Sequence, residues 1–434
     1  MRPQFSTLAE LYEHSVTAFQ KRTAAEFVGG AQSYTYAQFR DCCDNISKRL
    51  SNFGIGAGDK VAILSENSPN WTAAFFAITA YGRIAIPMLP ELSAGEVENI
   101  LTHSEAKAIF ISKKQLPKLS DEAMKRLTLV IAIGDLSFIK AEGSSYTCDG
   151  KVSRPTALDT AAILYTSGTT GKAKGVMLCH RNFCTNVLNS WYSYKIGPKD
   201  VFLSILPMAH TYEMSIGMLY PFSMGAKVEY IQKVPTPSIL IATLAKIRPT
   251  AMLSVPLIIE KIYRSSIVPT IARSKFLSYL DKHAKWLLYS LVGMKLKKTF
   301  GGRMGFFGIG GAKLDPEVEA FLKKTGFPYA IGYGLTETAP LICTASPRNT
   351  FPGTTGRPVR GIEVKLEDVN PQTGEGEICV KGPNVMLGYY KDYERTCSVL
   401  TQDGWFRTGD LASIDKKGRY SIKGRLGSVI IGAS

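Results

Sequence analysis

Apolar residues recur along this chain in two alternating periods. Short runs rich in β-branched and aliphatic residues, KVAILS at 60–65, IAIPM at 84–88 and AKAIFIS at 106–112, have the length and composition of buried strands. Between them, residues 69–82 and 93–103 carry apolar side chains at helical spacing. The stretch WTAAFFAITAYG at 71–82 is apolar on nearly every side, which predicts a helix buried in a core and is far too short to span a bilayer. The alternation resumes after residue 160 with VFLSIL at 201–206, KVEYI at 227–231 and AMLSV at 251–255. Strands that alternate with helices imply parallel sheets wound with helices, an α/β architecture. The opening MRPQFSTLAELYEHS predicts a capped helix, with Ser6 or Thr7 ahead of Leu8, Leu11 and Tyr12.

The texture changes near residue 351. FPGTTGRP, GEGEICVKG and KKGRYSIKG supply turns and short strands with no long helical pattern, which predicts a smaller β-rich subdomain at 351–424. At 434 residues the chain exceeds one ordinary core. The expected organisation is an α/β subdomain at 1–160, a second at 161–350, the β-rich subdomain at 351–424, and the start of a hinge at 425–434. The closing YSIKGRLGSVIIGAS stops just after a strand-like run, so a further carboxy-terminal domain is expected beyond it.

Composition narrows function only partly. The 45% hydrophobic and 20% charged content is that of a globular protein without internal repeats. Eight cysteines form no C-x-x-C pair and no His/Cys cluster with zinc spacing, so reduced thiols in a cytoplasmic protein are expected. A formal charge of +16 suits anionic ligands, nucleic acid or an anionic membrane face. No RNA- or DNA-binding motif accompanies the charge, and no nucleic-acid partner is expected.

The densest chemistry lies in ILYTSGTTGKAKGVMLCHRN at 163–182. A triphosphate needs many donors in a small space, and backbone N–H groups approach closely only where side chains are absent. Gly168, Gly171 and Gly175 allow that approach. Thr166, Ser167, Thr169 and Thr170 add hydroxyl donors, while Lys172 and Lys174 add charge. A polar β-turn would explain most short Gly/Thr runs, but ten residues this dense in donors are much less common. The stretch is no P-loop, because Ala173 stands where the second glycine would fall and GVMLC reads as a strand rather than a helix.

The order Y-T-S-G-T-T-G-x-x-K-G resembles the signature of acyl-adenylate-forming enzymes, the superfamily of acyl-CoA synthetases, peptide-synthetase adenylation domains and beetle luciferase; Ala173 replaces the usual proline. LPMAH at 206–210, GIGGA at 308–312, GYGLTET at 332–338, TGD at 408–410 and GR at 424–425 resemble that family's further segments, in the family's order. The resemblance implies its large N-terminal domain: two doubly wound, mainly parallel sheets plus a smaller β-rich subdomain. It also implies residue roles. Glu337, with Thr166, would hold Mg²⁺, a hard cation that suits one carboxylate plus phosphate oxygens. Thr336 would bond the α-phosphate, and Lys174 would serve the phosphates. Tyr333, between Gly332 and Gly334, would stack on adenine, with Gly310, Gly311 and Ala312 leaving room for base and acyl group. Asp410 and Arg425 would hold the ribose. His210 would touch the acyl group, although a lone histidine near a helix start is as often structural.

LPMAHTYE and VPLIIEKIY look closest to long-chain fatty-acyl-CoA synthetases. The implied reaction joins a fatty acid to ATP as acyl-AMP, and CoA then takes the acyl group. In this family a small C-terminal domain beyond GR supplies a catalytic lysine and much of the CoA site, so the chain is expected to be the N-terminal portion of such an enzyme. Rival readings are an enzyme that loads an acyl-carrier protein, and a catalytically silent nucleotide- or acyl-binding fragment. Residues 261–303 carry ten Lys and Arg against the lone acid Asp281. This segment reads either as a peripheral contact with the inner face of a membrane or as a solvated basic helix packed by its apolar stripe.

Overall fold

A computed structural model describes residues 2–143, 154–166, 174–232 and 236–426. The strands group into three sheets. The first has eight strands in the order Gly388–Tyr389, Lys174–Cys179, Thr160–Thr166, Ile84–Met88, Lys60–Leu64, Ala108–Ile111, Leu129–Ala132, Phe138–Ala141. Its five middle strands, Thr160–Thr166 through Leu129–Ala132, run parallel, and both flanks are antiparallel. The second has nine, with a parallel centre from Tyr329–Gly334 through Phe306–Ile309, Ala251–Ser254, Val201–Ser204 and Lys227–Tyr230 to Thr23–Phe27. Sheet membership does not follow chain order. Thr160–Thr166 and Lys174–Cys179 pair into the sheet of residues 60–141, and Thr23–Phe27 pairs beside Lys227–Tyr230.

Helix Pro69–Thr79 explains how the two large sheets share one interior. The Ser68 hydroxyl caps it by accepting from the Trp71 N–H, and Pro69 occupies its first turn, where a missing N–H costs nothing. Every residue of it is buried, as an all-round apolar helix requires. Its Trp71, Phe75 and Phe76 belong to a cluster with residues from both sheets, and the Thr72 and Tyr230 hydroxyls bond at 2.7 Å. The amino-terminal helix Leu8–Ala18 is capped by the Thr7 side chain and buries Leu8, Leu11 and Tyr12 in the same cluster.

The third sheet is antiparallel: Glu363–Glu367, Gly376–Lys381, Phe406–Ile414, Tyr420–Arg425. Its apolar face, with Ile378, Val380, Ala412 and Tyr420, packs on Ile342 and Cys343 of the nine-stranded sheet. All three sheets therefore meet near residues 333–345, where Leu341–Ala345 turns back antiparallel to Tyr329–Gly334.

Candidate functional site: a carboxylate cluster where three sheets meet

The phosphate-loop stretch is anchored at both ends by one strand pair. Antiparallel pairing sets Thr166 opposite Lys174, with Ser167, Gly168, Thr169, Thr170 and Gly171 outside the described residues. The Thr166 hydroxyl is buried and, among the described residues, has no hydrogen-bond partner. Lys174 extends from its strand end to the Glu337 carboxylate, with Nζ 3.3 Å from Oε1. The short strand Gly388–Tyr389 pairs with that same strand and brings the Tyr389 hydroxyl within 2.9 Å of the same Glu337 oxygen. Burial and the neighbouring carboxylate both push the Tyr389 phenol well above its ordinary range, so it stays a donor. The Lys174 ammonium also lies 5.2 Å from the Tyr389 ring centroid.

Glu337 sits on the single 3₁₀ turn Thr336–Thr338 and is buried, with Thr336 half-buried beside it. A one-turn element has no ladder to hold it, so its backbone groups are bonded from outside. Asn186 donates to the Thr338 carbonyl at 3.1 Å and accepts from the Leu341 N–H at 2.8 Å. Ser215 donates to Ala339 O, and Met386 N–H donates to Glu337 O. The preceding Gly334 is needed for a steric reason: a Cβ there would lie 1.8 Å from the Pro340 carbonyl oxygen.

The other half of the cluster comes from the small sheet. Antiparallel register puts Asp410 opposite Arg425, with Arg425 Nε 3.1 Å from Asp410 Oδ1. The Tyr333 hydroxyl donates to Asp410 Oδ2 at 2.7 Å. Burial raises the Asp410 pKa, the Tyr333 and Arg425 bonds oppose it, and the Glu337 charge adds a smaller upward push.

Of the remaining candidates, Gly332 is half-buried beside Leu341, while Gly311 and Ala312 are exposed at the end of strand Phe306–Ile309. Gly311 adopts φ +85°, a left-handed value that favours glycine. Gly308 and Gly310 leave space occupied by Tyr212: a Cβ at Gly308 would lie 2.8 Å from the Tyr212 hydroxyl. His210 is exposed, and its backbone N–H donates to Pro207 O. Among the described residues no hydrogen bond or ion pair joins it to Glu337, Lys174 or Asp410. Tyr389 and Asn186 are the members sequence reasoning missed. Tyr389 falls within the turn-rich stretch 351–424, where no motif singles it out, and nothing in the sequence marks an interior helix asparagine as the support of a distant turn.

The model of the AMP-binding enzyme family matches residues 12–390, and the chain belongs to that family. It is 32% identical to long chain acyl-CoA synthetase 6, peroxisomal, of Arabidopsis thaliana, across 97% of this chain and 66% of that protein. It is 28% identical to fatty acyl-CoA synthetase A of Dictyostelium discoideum, across 91% of this chain and 65% of that one. The chain thus spans just under two thirds of these relatives' length. The crystal structure of ATP-bound MatB from Rhodopseudomonas palustris superposes with a TM-score of 0.77 at 25% identity, covering 96% of this chain and 78% of that one. The fold is the large N-terminal α/β domain of acyl-adenylate-forming enzymes.

Proposed function

We propose that the chain binds Mg·ATP and a fatty-acid carboxylate and forms an acyl-adenylate, the first half of an AMP-forming acyl-CoA synthetase reaction. The observation that carries this reading is the convergence of Thr166, Lys174 and Glu337 from one side and Asp410, Arg425 and Tyr333 from the other. In the reaction a carboxylate oxygen attacks the α-phosphorus and the bond to pyrophosphate breaks. The thiol of CoA then attacks the acyl carbonyl and AMP leaves.

Two anions must approach each other, so the site's task is to offset charge. Mg²⁺ would supply a hard Lewis acid on the phosphate oxygens. The unpartnered Thr166 hydroxyl and the Glu337 carboxylate fit such an ion. Among the described residues no group of three His, Cys, Asp or Glu is gathered for a metal, so phosphate oxygens would complete its shell. Lys174, now 3.3 Å from Glu337, can shift its ammonium to phosphate as nucleotide enters. Thr336 would donate to the α-phosphate. Asp410 is already oriented by Tyr333 and Arg425 and would accept from ribose hydroxyls.

The relatives' names support a long acyl chain. The apolar cavity bounded by Tyr194, Tyr212, Ile216, Phe306 and Leu341 holds only about 30 Å³. A long tail entering beside Gly308 and Gly310 would have to displace Tyr212, which fills that space. Calorimetric titration with non-hydrolysable acyl-sulfamoyl-adenosines, from acetyl to palmitoyl, tests both points. Affinity that rises with chain length and drops at least about tenfold in Asp410→Ala is expected, from the loss of charged hydrogen bonds. Equal weak binding at every length rejects the long-chain reading. No binding at all rejects the adenylate site.

A further inference from the structure

Helices Lys275–His283 and Lys285–Thr299 present a surface that neither the fold nor the adenylate site uses. Among the described residues, five of the fifteen exposed large apolar side chains fall in one short stretch: Val268, Phe276, Tyr279, Trp286 and Met294. Trp286 is 75% exposed, the extreme of that stretch. On the first helix Phe276, Tyr279 and His283 form one stripe, with the Tyr279 and His283 rings 4.6 Å apart, and Lys275 and Lys282 run beside it. Leu280 on the same helix is buried.

The second helix interleaves apolar residues with four lysines. Leu288, Gly293 and Leu296 face inward, and Gly293 allows close approach because a Cβ there would lie 2.4 Å from the Thr325 carbonyl oxygen. That leaves Trp286, Met294, Lys297 and Lys298 on the outward arc. Arg264 pairs with Asp315, but among the described residues no ion pair engages Lys275, Lys282, Lys285, Lys295, Lys297 or Lys298.

We propose that the outer face of these two helices docks on the surface of an anionic lipid bilayer. Charge complementarity decides the occupant: ten cations and one acid between 261 and 303 repel a second copy of the same face. Strongly hydrated lysines are depleted from the cores of protein interfaces, whereas lysine interleaved with Trp, Tyr and Phe suits the headgroup boundary. No helix among the described residues is long and apolar enough to cross a membrane, so the contact lies on the bilayer. The aromatic rings enter the acyl boundary and the lysine ammonium groups stay among anionic headgroups. This inference stands or falls independently of the adenylation reading.

The test is sedimentation of the full chain with vesicles of phosphatidylcholine, with and without phosphatidylserine, at low and high salt. Binding only to the phosphatidylserine vesicles, weakened by salt, is expected. Replacing Lys275, Lys282, Lys297 and Lys298 together by Gln should weaken it roughly a hundredfold or more, at about fivefold per charge near such a surface. Brominated phosphatidylserine should quench tryptophan emission in the parent chain, with most of that quenching absent in Trp286→Phe. Equal binding to both vesicle types, binding to neither at low salt, or an unchanged quadruple variant overturns the proposal. So does a dimer in sedimentation velocity that Trp286→Ser dissociates in a chain that ignores lipid. A fluorescence response to duplex DNA but not to vesicles also overturns it.

Discussion

Glu337 accepts two donors at one oxygen, the Lys174 ammonium and the Tyr389 hydroxyl. An ionised carboxylate offers about four lone-pair directions, so capacity remains for a cation on its other oxygen. Replacing the charge while keeping the shape isolates that capacity. Glu337→Gln should lose the strengthening of ATP binding by Mg²⁺, a drop of about tenfold to a hundredfold in affinity measured by calorimetry with and without the metal, because bonds to charged groups contribute about 1.5–3 kcal/mol. Tyr389→Phe removes one donor and leaves Lys174, so it should weaken Mg·ATP only a few fold, in line with about 1 kcal/mol for a single hydrogen bond. If Glu337→Gln responds to Mg²⁺ like the parent chain, Glu337 is not the metal carboxylate.

At the scale of elements, the turn bearing Glu337 is held by a buried asparagine on helix His180–Ser193. Asn186→Ala would strand the Thr338 carbonyl and the Leu341 N–H in a dry interior. Each unsatisfied group costs about 1–3 kcal/mol, so a loss of roughly 2–6 kcal/mol is expected in urea unfolding. A loss below about 0.5 kcal/mol would mean water replaces the side chain. The sequence announced the elements more readily than this support. KVAILS at 60–65 appears as strand Lys60–Leu64, IAIPM as Ile84–Met88, and the apolar run from 71 lies in the buried helix Pro69–Thr79, which stops three residues short of the expected 82, because apolar period and capping residues are local signals. Which strands pair is not local: Gly388–Tyr389 joins Lys174–Cys179 across more than two hundred residues, and only that pairing brings Tyr389 to Glu337. Asp410 and Arg425 were legible as a pair of motifs, but the Tyr333 hydroxyl bond between them was not.

For the whole molecule, two buried titratable groups away from the carboxylate cluster set opposing pH dependences. Burial pushes the His180 imidazole down to about 4, with Asp159 opposing; its Nδ1 accepts from the Leu8 N–H and ties the amino-terminal helix to the core. The unfolded chain takes up this proton near the ordinary imidazole value of 6.5, so its stabilising contribution is full above that pH and is lost as pH falls towards about 4. Glu213 has the reverse sign. It opens the π-helical turn Glu213–Leu219, where a Cβ at Gly217 would lie 2.7 Å from its carboxyl carbon. One of its oxygens has no partner among the described residues. Burial raises its pKa from 4.5 to about 8, with the Ser204 hydroxyl opposing. The folded state holds this proton and the unfolded state releases it, so stability present at low pH is lost as pH rises through about 8. Glu213→Gln mimics the protonated form at nearly constant volume. It should match the parent chain near pH 5, exceed it increasingly as pH rises from there to about 8, by about 1.4 kcal/mol per pH unit at most, and keep a constant margin above that. Urea unfolding of both chains across this range measures the difference directly, since every other group cancels. Parallel profiles from pH 5 to 9 would mean that Glu213 is ionised in the fold and that its unpartnered oxygen meets a cation or water.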